Sequence, residues 1–150
     1  MTANTSAALP SPPPSPSPED TKSGSPYCRG TLLPRCFGCG AKYKELEKFT
    51  VNADNANGNS FRPYAKCMRC NKFVSWLDAR GIDETCPPCF CGKLSRRQVA
   101  GKFGKKHPRA LHYVCSLGIC DFYGVCRDED GDEQVAADEL VDLLVRLNVI

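Results

Sequence analysis

Cysteine spacing constrains this chain before anything else. Cys36 and Cys39 are separated by two residues in "CFGCG", as are Cys67 and Cys70 in "CMRCNKF", and the pattern returns as "CFCG" over 89–92 and "CSLGICDFY" over 115–123. Cys39-Gly40 and Cys91-Gly92 lie 52 positions apart, and Cys70 and Cys120 lie 50 apart, so two modules of one kind follow one another.

The 150 residues hold 11 cysteines, an odd number that leaves at least one thiol unbridged. The N-terminus has neither the basic nor the apolar region of a secretory leader, and no apolar run approaches the roughly 20 residues of a membrane span. The expectation is a soluble, intracellular chain. Thiols stay reduced there, and paired cysteines then point to a metal rather than to disulfides.

Zinc takes four tetrahedral thiolate or imidazole ligands in structural sites, and two cysteine pairs on opposing turns provide that geometry. Cys36, Cys39, Cys67 and Cys70 are expected to hold one ion, and Cys89, Cys91, Cys115 and Cys120 a second. The glycine that follows each opening pair, Gly40 and Gly92, suits a knuckle whose chain must turn through positive φ. Cys86 is a rival, because "CPPC" also has knuckle spacing and could pair with Cys89 while Cys91 stays free. Cys28 and Cys126 have no partner at ligand spacing and read as a free thiol and a small buried hydrophobe. A redox role for "CPPC" is not favoured, since such motifs open a helix in a βαβ unit and a CxCG follows here at once.

Between the cysteine pairs, "KFTVNADNANGNSFRPYAKC" and "HPRALHYVC" mix Val, Phe and Tyr with Asn, Gly and Pro, as short strands and turns do. Modules of about 50 residues are too small for an apolar core alone to stabilise. A structural zinc contributes an apparent ~10–16 kcal/mol in small finger peptides, so both modules are expected to unfold without metal.

The modules are flanked by unlike tails. Residues 1–27, including "ALPSPPPSPSPED", have little to bury and read as a disordered leader; a proline-rich ligand for an adaptor domain is the alternative. In "DGDEQVAADELVDLLVRLNVI", Val135, Leu140, Leu143, Leu144 and Leu147 are spaced for one helix face, predicting a helix over about 133–147 that packs on the second module or meets a partner.

These residues resemble the GRF-type zinc ribbon family, in the tandem arrangement of its fungal GRF-like members. The first module places Arg62 at the family arginine, Tyr64 at an aromatic position, Cys67 and Cys70 at the last two ligands, and Phe73, Trp76 and Asp78 near the closing pattern. Phe61 stands where the family has glycine, and Ala65 where it has a second aromatic. In the second module Tyr113, Cys115, Cys120, Phe122 and Tyr123 match, while Arg109 takes the glycine position, Ala110 the arginine, His112 the first aromatic and Val125 the tryptophan.

The resemblance implies a metal-dominated, mostly β fold. Residues 28–80 and 81–127 would each form a zinc ribbon with a short antiparallel sheet, and 128–150 an acidic linker and amphipathic α-helix. It also implies binding of single-stranded nucleic acid, as GRF fingers do in DNA-processing proteins.

Charge agrees with that implication. Residues 28–127 hold 18 Lys and Arg against 7 Asp and Glu, while the rest of the chain holds 2 against 10. Cations replace condensed counterions on a phosphate backbone, and flat rings stack on exposed bases, so Arg62, Tyr64, Lys66, Arg69, Lys72 and Trp76 are candidate contacts. The acid-free stretch "KLSRRQVAGKFGKKHPR" over 93–109 adds Arg96, Arg97, Lys105, Lys106 and Arg109 as phosphate contacts, alongside Lys93 and Lys102.

Single-stranded DNA or RNA is the expected partner, and a nuclear location is expected only from that ligand. The competing reading is a zinc-stabilised adaptor that meets a protein through its C-terminal helix or leader. Catalysis is not expected, because four thiolates leave zinc no open position and the only histidines are His107 and His112. The acidic "RDEDGDEQ" over 127–134 is a candidate to fold over the basic surface and compete with nucleic acid.

Overall fold

A computed structural model describes residues 32–104 and 107–150, and residues 32–150 cluster as one compact unit. The leader, Cys28, Lys105 and Lys106 lie outside the described residues. No described helix is long and apolar enough to cross a membrane.

The described residues form two three-stranded antiparallel sheets, each in sequential order. β1 (Glu47–Thr50), β2 (Pro63–Cys67) and β3 (Lys72–Trp76) make the first, and β4 (Ser95–Val99), β5 (Leu111–Cys115) and β6 (Tyr123–Val125) the second. Aromatic and β-branched residues in "KFT", "PYAKC", "KFVSW" and "LHYVC" favour pleated pairing, and the Asn- and Gly-rich stretches between them turn the chain. Around the first metal-ligating turn a small core gathers Cys36, Ala41, Leu46, Ala65 and Cys67.

The single α-helix among the described residues, α1 (Asp138–Arg146), starts five residues later than the pattern predicts. The preceding residues are recruited to the second sheet instead: Ala110 bridges Val135, Arg127 bridges Glu133, and the Leu111 amide donates to the Gln134 carbonyl at 2.8 Å. Asp138 and Glu139 in the first turn and Arg146 in the last complement the helix dipole.

The inward face of α1 also differs from the predicted one. Val141, Leu144 and Val145 pack with Ile150, Val99 and Leu111, whereas Leu140, Leu143 and Leu147 stay exposed. "ELVDLLVRL" carries two adjacent apolar stripes, and sequence spacing alone does not rank them. The packed stripe reaches the first module too, because a Cβ added to Gly58 would lie only 2.8 Å from Val145.

Candidate functional site

Each sheet ends in the same local device. β2 and β5 terminate at Cys67 and Cys115, and the turns that follow bring in Cys70 and Cys120. Opposite them, the first knuckle is closed by the Gly40 amide on the Cys36 carbonyl at 2.8 Å, and the second by the Gly92 amide on the Cys89 carbonyl at 2.9 Å. Gly40 and Gly92 have φ of 73° and 72°, the left-handed turn that their position demands.

The turns bring together the sulfurs of Cys36, Cys39, Cys67 and Cys70, and separately those of Cys89, Cys91, Cys115 and Cys120, each set lying within 4.8 Å of one another. Zn–S bonds of about 2.3 Å would place tetrahedral sulfurs roughly 3.8 Å apart. The Cys36–Cys70, Cys39–Cys67, Cys89–Cys115 and Cys91–Cys115 separations are 3.9, 3.5, 3.8 and 3.7 Å, while Cys89 and Cys91 lie closer, at 2.9 Å, and would part by about 1 Å around an ion. The donor chemistry and the spacing therefore fit one zinc ion in each set.

Local dipoles prepare these sites for an ion. The Cys70 amide, the strongest influence on Cys67, brings that thiol down to about 7. Burial pushes Cys115 up, but the amides of Cys120, Leu117 and Ile119 outweigh it and hold that thiol at about 7. Their neighbours resist: contact with Cys39 and then burial push Cys70 up to about 12, and burial followed by contact with Cys89 raises Cys91. Four thiolates crowd together only around a compensating cation.

Cys86, the rival ligand, lies outside both sets. It is buried and donates from its thiol to the Gly81 carbonyl at 3.4 Å. Cys126 is buried as well.

The arginines expected to bind nucleic acid are placed differently. Arg62 and Arg96 are 4% and 2% exposed, and both point at Asp78. Arg62 donates from Nε and Nη2 to the two Asp78 oxygens at 2.7 and 3.1 Å, and its guanidinium lies 4.3 Å over the Trp76 ring. Arg96 crosses from the second sheet, donating from Nη1 to Asp78 Oδ1 at 2.7 Å and from Nη2 to the Asp78 carbonyl at 2.6 Å. Arg109, also buried, joins α1 to the first module by donating to Asp138 at 2.6 Å and to the Ala56 carbonyl at 3.2 Å.

Arg62, Arg96 and Arg109 are thus corrected from surface cations to internal ones, since each is desolvated and committed to a carboxylate. Two further cations of 93–109 are paired, Arg97 with Asp83 at 3.0 Å and the half-exposed Lys102 with Asp138 at 2.8 Å. Arg97 is mostly buried and sits over Tyr113. Arg69 is exposed but paired with Glu45.

The two positions at which the resemblance has glycine keep a glycine-like backbone. Phe61 and Arg109 have φ of 59° and 61°. For a bulky residue that conformation costs about 1–2 kcal/mol. Arg109 offsets it with its ion pair, whereas Phe61 is 70% exposed.

What remains on the first sheet's outer face is aromatic. Register places Phe49 opposite Tyr64, Tyr64 opposite Trp76 and Lys66 opposite Phe73. Their rings form a contiguous platform, with Phe49–Tyr64 centroids 5.6 Å apart, Tyr64–Phe73 5.8 Å and Phe73–Trp76 4.9 Å. Lys66 stands 5.9 Å from the Phe49 ring, and Lys72 is exposed at the start of β3. Beside the platform opens a cavity of about 620 Å3 onto which Tyr64, Phe73, Trp76, Asn52 and Asn55 face. Phe49 escaped the sequence reading, because as the one aromatic of the four-residue β1 it shows no alternation that would assign its face.

In the second module Ala110 and Val125 replace the arginine and tryptophan together, so the stacked pair is lost as a unit. His112 stacks on Tyr123 at 5.4 Å instead.

Residues 33–80 match the family described as the GRF-like zinc ribbon domain. No curated protein and no solved structure matches the chain.

Proposed function

Taking residues 33–80 as a GRF-like zinc ribbon, we propose that the protein binds single-stranded DNA or RNA and does so without catalysis. The aromatic platform of Phe49, Tyr64, Phe73 and Trp76 carries this reading. Its four contiguous rings lie outside both apolar cores, with Phe73 48% exposed and Phe49, Tyr64 and Trp76 half-buried against one another. Bases of a single strand present the flat faces that such rings stack on, whereas a duplex hides them.

Zinc serves this activity by holding the turns that end β2 and precede β3, and so the register of the platform. Arg62 acts from below, with its guanidinium against Trp76 and paired with Asp78, which it shares with Arg96. Lys66 and Lys72 neutralise phosphates along the platform's edge.

Fluorescence anisotropy with a labelled oligothymidylate tests the reading. Each stacked base contributes about 1–3 kcal/mol, so Tyr64→Ala or Phe73→Ala should weaken binding by roughly 5- to 150-fold. Lys72→Gln should weaken it more modestly and flatten its salt dependence by about 0.7 in the log–log slope. Platform variants that keep their zinc and bind as tightly as the wild type would contradict it.

A protein partner is the second reading, favoured by Leu140, Leu143 and Leu147, which form an exposed stripe beside Glu139 and Asp142. That stripe suits an amphipathic segment with basic flanks. Leu143→Ser would abolish such an interaction and leave nucleic-acid binding unchanged.

A further inference from the structure

The two modules enclose a groove of about 410 Å3 that runs from one metal knuckle to the other. Phe73 and Trp76 of β3 form one wall, and Val114 and Phe122 of the second module the other. Two lining residues, Ser75 and Arg96, are 3% and 2% exposed, and each holds a polar atom, Ser75 Oγ and Arg96 Nε, that has no hydrogen-bond partner.

A buried donor left unpaired costs about 1–3 kcal/mol, which native folds rarely tolerate without a reason. Here two donors share one aromatic groove. Asp78 is shared between Arg62 and Arg96, so the buried cluster keeps a net positive charge, and the free Arg96 Nε–H suits an electron-rich acceptor such as a base carbonyl or ring nitrogen. Gln98 also lines the groove, and its amide can both donate and accept. Flat apolar walls with donors beneath them match a planar ring that has acceptors on its edge.

We propose that the groove between the modules is a nucleobase pocket, taking one unpaired base of a strand laid across the platform. Phe73 and Trp76 line both this groove and the open cavity beside the platform, so the two form one continuous track. The base enters edge-first, with its faces against Phe73 and Phe122 and its ring nitrogens or carbonyls toward Ser75 and Arg96. The two modules then act as a single binding unit, because neither one alone has both walls. The inference rests on the single-strand reading above.

The test uses the zinc-loaded full chain and an oligothymidylate in which one base is 5-iodouracil. Photocrosslinks in the wild type should reach Phe122, which the platform does not include. Ser75→Ala, which removes an unpaired hydroxyl and leaves no partner behind, should keep the fold and weaken binding about 5-fold or more. Phe122→Ala should weaken it by at least as much, with zinc content confirming the fold. Crosslinks confined to the platform rings that miss Phe122, or wild-type affinity for Ser75→Ala, would overturn the groove and leave the platform standing. If no single strand binds at all, the pocket and the single-strand reading fall together.

Discussion

Asp78→Asn removes one charge and should undo the seam between the modules. The carboxylate accepts from Arg62 Nε at 2.7 Å, Arg62 Nη2 at 3.1 Å and Arg96 Nη1 at 2.7 Å, and it caps the Arg80 amide at 3.2 Å. The Arg62 and Arg96 side chains are 3% and 2% exposed, so water cannot replace the lost partner. Breaking a buried pair by removing one member costs about 3–5 kcal/mol. Because Asp78 itself is 25% exposed, the lower figure applies, about 3 kcal/mol. At roughly 4 °C per kcal/mol for a unit of this size, the melting temperature should fall about 12 °C. Thermal unfolding of the zinc-loaded protein measures it. In an Arg62→Met/Arg96→Met background the same substitution should cost under about 1 kcal/mol, since the charges that need Asp78 are gone. A loss below about 1 kcal/mol in the wild type, or an equal loss in both backgrounds, would refute the clamp.

Other expectations follow from the same geometry. Gly118 has a φ of 66°, and a Cβ there would lie 2.3 Å from the Val74 carbonyl oxygen, so Gly118→Ala should destabilise clearly more than Gly92→Ala, whose φ is 72° but whose Cβ would meet open space. Gly92→Ala should cost only the strained backbone, about 1–2 kcal/mol, and chemical denaturation compares the two. Elemental analysis of the purified protein should find two zinc ions per chain, two in Cys86→Ser and one in Cys91→Ser; one ion in Cys86→Ser would reinstate the rival ligand. Phe61→Gly relieves a left-handed backbone at an exposed side chain and should stabilise by up to about 1 kcal/mol in thermal unfolding, after the entropy of the added glycine is deducted.

The metal sites were legible because ligation is a local, spacing-coded property. The paired cysteines and the glycines that follow them specify knuckles, and repetition 50 to 52 residues later specifies a second copy. The choice between Cys86 and Cys91 needed the hydrogen bonds of the turn, in which Gly92 closes on Cys89. Arg62, Arg96 and Arg109 were misplaced because a sequence displays charge and not burial, and their carboxylates lie 16 to 29 residues away. A basic composition therefore overstated the free cations on the surface. The helix was recognised from its period, but its inward stripe depended on where Gly58 of the other module leaves room for Val145.

The acidic tail also takes a definite place. Glu133 pairs with His107, and Asp138 with Lys102 and Arg109, so residues beyond Arg127 neutralise part of the second module's basic stretch. Ala136, Val141 and Ile150 belong to the core, so deleting this tail would unfold the protein rather than merely expose a surface.

The most direct measurement titrates zinc-loaded full chain against a single strand and its duplex by fluorescence anisotropy, at two salt concentrations and again after chelation. The account predicts binding that favours the single strand and disappears with the zinc. With two phosphates neutralised, by Lys66 and Lys72, the log–log salt slope should be about −1.4. A folded, zinc-loaded protein that ignores single strands at low salt, or binds duplex equally well, would contradict it.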